Sequence, residues 1–172
     1  AADRFGNLQS AYRFNGLDSY VRVEDTTALR LSGAGYTLSL WCTREEAGVH
    51  SMEALVFKRS RNNRSGYAFG LWAVDSDKPD NVPSGVLRIM HAGGGDPECH
   101  TMSNIPNSRW VSVAVVFESA TGAFRMFLNG EHLPSDGDRS PAPNPNAKAP
   151  LFIGYDSGGS PYWYHGSLDE IR

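Results

Sequence analysis

Gly166-Ser167-Leu168-Asp169-Glu170-Ile171-Arg172 is the stretch whose reading decides the fold. Its apparent partner is Ala11-Tyr12-Arg13-Phe14-Asn15-Gly16-Leu17-Asp18-Ser19-Tyr20-Val21 at the other end of the chain. Both segments alternate apolar and polar residues, as a strand with one buried face does. Each carries a glycine and an aspartate. They read as the first and last strands of one β-sandwich, with the remaining strands filling in between. That pairing predicts that Asp18 and Asp169 meet. Two carboxylates brought together need a cation or hydrogen-bond donors.

The rest of the chain agrees with an all-β reading. Its 172 residues suffice for one domain, 1–172, with a substantial core. Eighteen glycines and 10 prolines cut it into short pieces, and no window holds an apolar 3.6-residue period. Residues 36–42 alternate cleanly, with Leu38, Leu40 and Cys42 on one face. The clearest hairpin is 110–130: Val111, Val113, Val115 and Phe117 share a face, 119–122 turn the chain, and Phe124, Met126 and Leu128 return it. Residues 12–23 read as a first strand pair, turning at Asn15-Gly16 and Asp18-Ser19. Residues 132–149, rich in Pro, Asn and Asp, read as a long surface loop.

Charge and composition narrow the function. The formal net charge is −3, which offers no electrostatic pull towards nucleic acid or an anionic membrane. The longest apolar run, Val113-Ala114-Val115-Val116-Phe117, is too short for membrane insertion. Cys42 and Cys99 permit one disulfide or two free thiols, and the sequence leaves both open.

Six segments in order carry a family resemblance: S-A-Y-R-F-N-G-L-D-S-Y-V (10–21), Y-T-L-S-L-W (36–41), W-V-S-V-A-V-V-F (110–117), F-R-M-F-L-N-G (124–130), L-F-I-G (151–154) and G-S-L-D-E-I-R (166–172). Together they resemble a laminin G-like, concanavalin A-like jelly roll, a superfamily that also holds the pentraxins. The resemblance implies an antiparallel two-sheet β-sandwich with neighbouring first and last strands. It also implies a secreted or cell-surface setting, a place within a larger multidomain chain, a glycan or glycoprotein ligand, and calcium as the cation.

Three candidate sites follow. The first is calcium held by Asp18, Asp169 and Asn15; the competing reading has Asp18 capping its own turn and Asp169 paired with an arginine such as Arg13 or Arg172. The second is a rim site at Asn62, Asn63 and Asp156, where pentraxins hold calcium and through it the ligand. Asn replaces the family's first Asp there, and the late loop keeps a single acid, so the donor set is weak. The third is an aromatic platform in Tyr162-Trp163-Tyr164: if Tyr164 points to the core, Trp163 faces out, where Tyr155 can join it in packing against the C–H face of a sugar. Core or surface filling is the plainer account of such aromatics.

No strand carries acids at alternate positions on one face, as a retaining glycanase needs. Asp169 and Glu170 are adjacent and so point to opposite faces. The sequence therefore favours a non-catalytic binding module with a glycan or glycoprotein ligand. The rival is a structural or protein-interaction adhesion domain, with a polysaccharide-degrading enzyme third.

Overall fold

Val111, Val113, Val115 and Phe117 are buried while Ser112, Ala114, Val116 and Glu118 are half-buried, the alternation that one covered face dictates. This strand is the middle of a sandwich seen in a computed structural model. The structure describes residues 1–31, 33, 35–45, 52–60, 65–72, 85–92, 98–137, 141–145, 147–156 and 162–172.

In chain order the strands are β1 (Tyr12–Asn15), β2 (Val21–Val23), β3 (Tyr36–Arg44), β4 (Met52–Ser60), β5 (Ser65–Trp72), β6 (Val86–His91), β7 (Glu98–Asn104) and β8 (Val111–Glu118). They continue as β9 (Ala123–Leu128), β10 (Glu131–Leu133), β11 (Ser135–Gly137), β12 (Leu151–Ile153), β13 (Tyr155–Asp156), β14 (Tyr162–Trp163) and β15 (His165–Asp169). One sheet has the order β1-β15-β3-β8-β9-β10 and the other β11-β7-β6-β5-β4-β12-β2; β13 and β14 form a separate small ribbon. The ladders of both sheets are antiparallel. Phe14, Leu40, Cys42, Leu55, Phe69, Ile89, Val113 and Leu168 are among the side chains that fill the space between the two sheets. This is the two-sheet, antiparallel jelly-roll sandwich that the sequence predicts.

The first and last strands do pair: Tyr12 lies opposite Leu168 and Phe14 opposite Gly166. Gly166 is required there, because a Cβ on it would lie 1.9 Å from the Thr43 carbonyl oxygen of β3. After β15 the backbone turns through a positive φ at Glu170, and Arg172 still exchanges both hydrogen bonds with Ser39.

Two expectations are corrected. Residues 12–23 are not a hairpin: β1 pairs with β15 in one sheet and β2 with β12 in the other. The segment between them crosses from sheet to sheet, because each strand finds a longer-range partner than its neighbour in sequence. Nor is 132–149 only surface loop. Its first part forms β10 and β11, and Ala147 is buried. The carbonyls of Ala147 and Ala149 accept hydrogen bonds from Lys58 Nζ at 2.9 and 2.6 Å, and Asp25 Oδ1 takes the third at 2.6 Å. An ammonium has three donors, so this fully buried lysine is satisfied and ties the loop to β4.

β4 is buried on both faces over Met52–Lys58, and a bulge between Ala54 and Val56 resets its alternation. Leu55 and Val56 face the sandwich core. Met52, Ala54 and Phe57 join Ala68, Val86 and Met90 in a second apolar cluster, against which Tyr162 packs. The small β13–β14 ribbon thus lies over the outer face of the second sheet.

Candidate functional site

The expected meeting of Asp18 and Asp169 does not occur. Antiparallel pairing sets Asn15 opposite His165 and Tyr12 opposite Leu168, so Asp18 lies beyond one end of the β1–β15 pair and Asp169 at the other. Four residues of strand separate those ends by about 13 Å. Asp169 pairs instead with Arg4 at 3.2 Å, and the Arg4 guanidinium also bonds Glu170 and lies 4.6 Å from the Trp41 ring centre. The Asn15 amide is equally committed. Its Oδ1 accepts the backbone N–H groups of Leu17, Asp18 and Ser19, and its Nδ2 donates to Asp18 Oδ1 at 2.7 Å. Asn15, Asp18 and Asp169 do not fit a shared calcium ion: two are bound to each other and the third belongs to an arginine.

The turn that Asn15 builds has another product. It delivers Tyr20, 48% exposed, to the edge of the second sheet, where β2 pairs with β12. There Tyr20 meets Phe152 of β12 (5.7 Å between ring centres), Tyr155 of β13 (5.3 Å) and Trp163 of β14 (6.1 Å). Tyr155 lies directly opposite Trp163 in the ribbon, and their rings stack at 4.1 Å and 24°. Phe152 stands edge-on to Tyr155 at 89°. The four rings form one cluster, with Tyr20 its most exposed member and Tyr155 and Trp163 half-buried behind it.

Alternation sets Tyr164 and Trp163 on opposite sides of the chain. Tyr164 is fully buried, donates its hydroxyl proton to the Thr43 carbonyl at 2.7 Å, and meets Phe14 edge-on. Burial pushes its hydroxyl well above the ordinary tyrosine pKa. Trp163 therefore lies on the other side. Gly154 sits between β12 and β13 with φ +81°, and a Cβ there would strike the Phe14 ring at 2.3 Å. Sequence reasoning omitted Tyr20 and Phe152. The alternation of Phe152 within L-F-I-G was a usable signal, whereas Tyr20 depended on a sheet-to-sheet crossing that local periodicity does not show.

Asp156, expected on the rim, is turned inwards. It is 3% exposed and forms an ion pair with Arg59, whose guanidinium also lies over the Phe57 ring. Opposite it in the ribbon, Tyr162 packs on the outer apolar cluster. Asp156 and Tyr162 thus anchor the ribbon while Tyr155 and Trp163 present its other face. Asn62 and Asn63 lie outside the described residues.

Other reactive side chains are structural. Cys42 and Cys99 are both buried thiols, one in each sheet. Burial pushes the Cys42 thiol up to about 12, so it holds its proton. Arg44 and Glu53 form a buried ion pair joining β3 to β4 across the sandwich, with Asn107 accepting from Arg44 Nη1 at 3.2 Å. Among the described residues there is no group of three or more metal-ligating side chains and no helix long and apolar enough to cross a membrane.

Comparison with known proteins places this geometry. A family model, Laminin_G_3, described as the concanavalin A-like lectin/glucanases superfamily, matches residues 14–172. Among solved structures, domain 4 of AbnA, a GH43 extracellular arabinanase from Geobacillus stearothermophilus, in complex with arabinotriose, is similar at TM-score 0.69 and 22% identity. That match covers 100% of this chain and 72% of that one. The Ruminococcus gnavus IT-sialidase CBM40 bound to α2,3-sialyllactose is similar at TM-score 0.65 and 11% identity, covering 95% and 89%. The native heptameric SAP-like pentraxin from Limulus polyphemus is similar at TM-score 0.61 and 13% identity, covering 93% and 73%. No curated protein matches the sequence.

Proposed function

The chain belongs to the concanavalin A-like lectin/glucanases superfamily, and from that premise we propose that it is a non-catalytic carbohydrate-binding module of a secreted or surface protein, using the aromatic cluster at Tyr20, Phe152, Tyr155 and Trp163. The observation that carries this reading is the convergence of four rings from three separate segments on one sheet edge, with the outermost ring half in solvent. A pyranose or furanose offers a C–H face, and an aromatic ring is its natural complement. The two structural neighbours solved with oligosaccharides, arabinotriose in one and sialyllactose in the other, support a glycan as the ligand class. The adjacent acids Asp169 and Glu170 are both held by Arg4, which supports a binding role over a hydrolytic one.

The test is a glycan array, with calcium and with chelator, followed by Tyr20→Ala and Trp163→Ala. Each substitution is expected to weaken binding at least about tenfold, about 1.4 kcal/mol, while the circular dichroism spectrum is kept. An array without hits under both conditions overturns the reading.

A second reading rests on a different observation. The large apolar side chains that stand exposed among the described residues are Phe5, Leu8, Tyr12, Leu17, Tyr20 and Val23, and they fall within one N-terminal stretch. Such concentration favours a polypeptide partner in an adhesion role. It predicts that Phe5→Ser with Leu8→Ser abolishes capture of that partner and leaves glycan binding intact.

A further inference from the structure

β1 is the outermost strand of its sheet, so one of its edges has no neighbouring strand. Gly16 N donates to the Tyr164 carbonyl at 3.0 Å, which continues the β1–β15 ladder one step past Asn15. Along an antiparallel ladder, residues that bond a given neighbour alternate with residues that turn away from it. Tyr12, Phe14 and Gly16 therefore direct their backbone groups towards β15, and Ala11, Arg13 and Asn15 direct theirs to the free edge. Ala11 agrees: its N–H donates to the Ala1 carbonyl at 3.3 Å on that far side. Among the described residues, nothing bonds the N–H and C=O groups of Arg13 and Asn15. The free edge is thus open over 13–15, and donors and acceptors at that spacing match another extended backbone.

The side chains around this opening complement one another across a twofold axis. Leu8 and Tyr12 are exposed at the start of β1, and Leu17 is exposed just after its end. Antiparallel pairing of two copies of β1, centred on Phe14, sets Arg13 of one copy opposite Asn15 of the other. Each such pair exchanges both of its N–H···O=C bonds. The same pairing brings the start of each strand to the end of the other, so Leu17 of one copy covers Tyr12 and Leu8 of the second. Charge follows the same rule. Asn15 Nδ2 holds the Asp18 carboxylate at 2.7 Å, and Arg13, directly across from Asn15 and on the same face, meets that carboxylate. In the single chain Arg13 pairs with Glu45 at 2.9 Å, an exposed pair of little strength that can share its guanidinium.

We propose that two copies of this chain dimerise through β1, an isologous contact that joins their first sheets into one continuous antiparallel sheet. The proposal is independent of the glycan-binding reading. It deepens the adhesion reading, on which it rests, by naming the polypeptide partner as a second copy.

The experiment is sedimentation velocity of the full chain from about 1 μM to 1 mM, the range in which weak dimers form. The expected result is a monomer–dimer equilibrium within that range. Arg13→Pro removes an N–H that faces the free edge and leaves the bonds to β15 in place; it is expected to give a monomer with an unchanged circular dichroism spectrum. Asp18→Arg sets two cations against each other and is expected to weaken the dimer at least about tenfold. Arg13→Asp combined with Asp18→Arg restores it, which loss of fold in Arg13→Pro cannot imitate. A chain that stays monomeric throughout overturns the proposal, as does a dimer that none of these substitutions weakens. If the chain is monomeric and Phe5→Ser with Leu8→Ser still abolishes capture of a different polypeptide, the dimer falls and the adhesion reading stands.

Discussion

Asn15 uses both ends of its amide on its own turn, and this fixes where Tyr20 emerges. Asn15→Ala leaves three backbone N–H groups without their acceptor. The turn is exposed and water replaces part of the loss, so the expected destabilisation in urea is about 1–2 kcal/mol. The accompanying loss of glycan affinity should be matched by Tyr20→Ala but not exceeded by combining the two. His91 gives a second residue-scale prediction. Its Nδ1–H donates to the Pro141 carbonyl at 2.9 Å, so its Nε2 must accept from the Tyr36 hydroxyl at 2.6 Å. Phe117 and Phe124 pack edge-on against the ring. Burial lowers its pKa from 6.5 to about 4, with the Pro141 hydrogen bond acting in the opposite sense. The folded protein therefore binds this proton less readily than the unfolded chain. Stability is full above pH 6.5 and falls as pH drops towards about 4, by about 3 kcal/mol from this group. Denaturation midpoints across that range, compared with those of His91→Phe, isolate the step. From the sequence His91 was one scattered histidine among five, since its partners Tyr36 and Pro141 are fifty or more residues away.

Elements were more legible than sites. The alternation of β8 and β3 is written in their residues, because one buried face imposes period two. β4 is harder: buried on both faces and bulged, it keeps charged residues inside, and its glutamate and lysine look like surface markers in the sequence. Each has a partner that only the assembled sandwich supplies. Glu53→Ala is the sharper test, because it removes the Glu53 carboxylate from the Arg44 guanidinium, 2% exposed, between the sheets. The expected loss is about 3–5 kcal/mol in chemical denaturation. Replacing both residues with apolar side chains of similar volume should restore much of it. At Lys58, substitution by methionine leaves two loop carbonyls without a donor. Amide hydrogen exchange should then rise along 141–149 before it rises in β8. The β13–β14 ribbon shows the same division within one element: Tyr155 and Trp163 share a face that alternation reveals, while the anchoring of Asp156 on Arg59 requires knowing that the ribbon folds over β4.

At the scale of the whole molecule, the paired ends explain both what the sequence disclosed and what it hid. Six ordered segments sufficed for the sandwich, since β1 and β15 carry complementary patterns and a glycine that the crowded ladder demands. The direction of that pairing put Asp18 and Asp169 at opposite ends, and no local pattern contains that information. The cysteines pose the same problem in the third dimension. Cys42 lies in β3, opposite Val111 and Leu168; Cys99 lies in β7 of the other sheet, opposite Ile89. The structure holds them as two separate buried thiols, one in each sheet, with no bridge between them. Their membership in one buried cluster makes each a small apolar side chain in the core. Two consequences are measurable in one preparation. Reductant should leave the melting temperature unchanged, because no covalent link contributes to it. A thiol reagent should modify neither cysteine in native buffer and both once denaturant opens the sandwich, at a rate set by unfolding. Burial raises the pKa of both thiols and so favours their protonated forms, and rapid labelling of the native protein would mean that the two sheets separate locally at the β3 or β7 end without global unfolding.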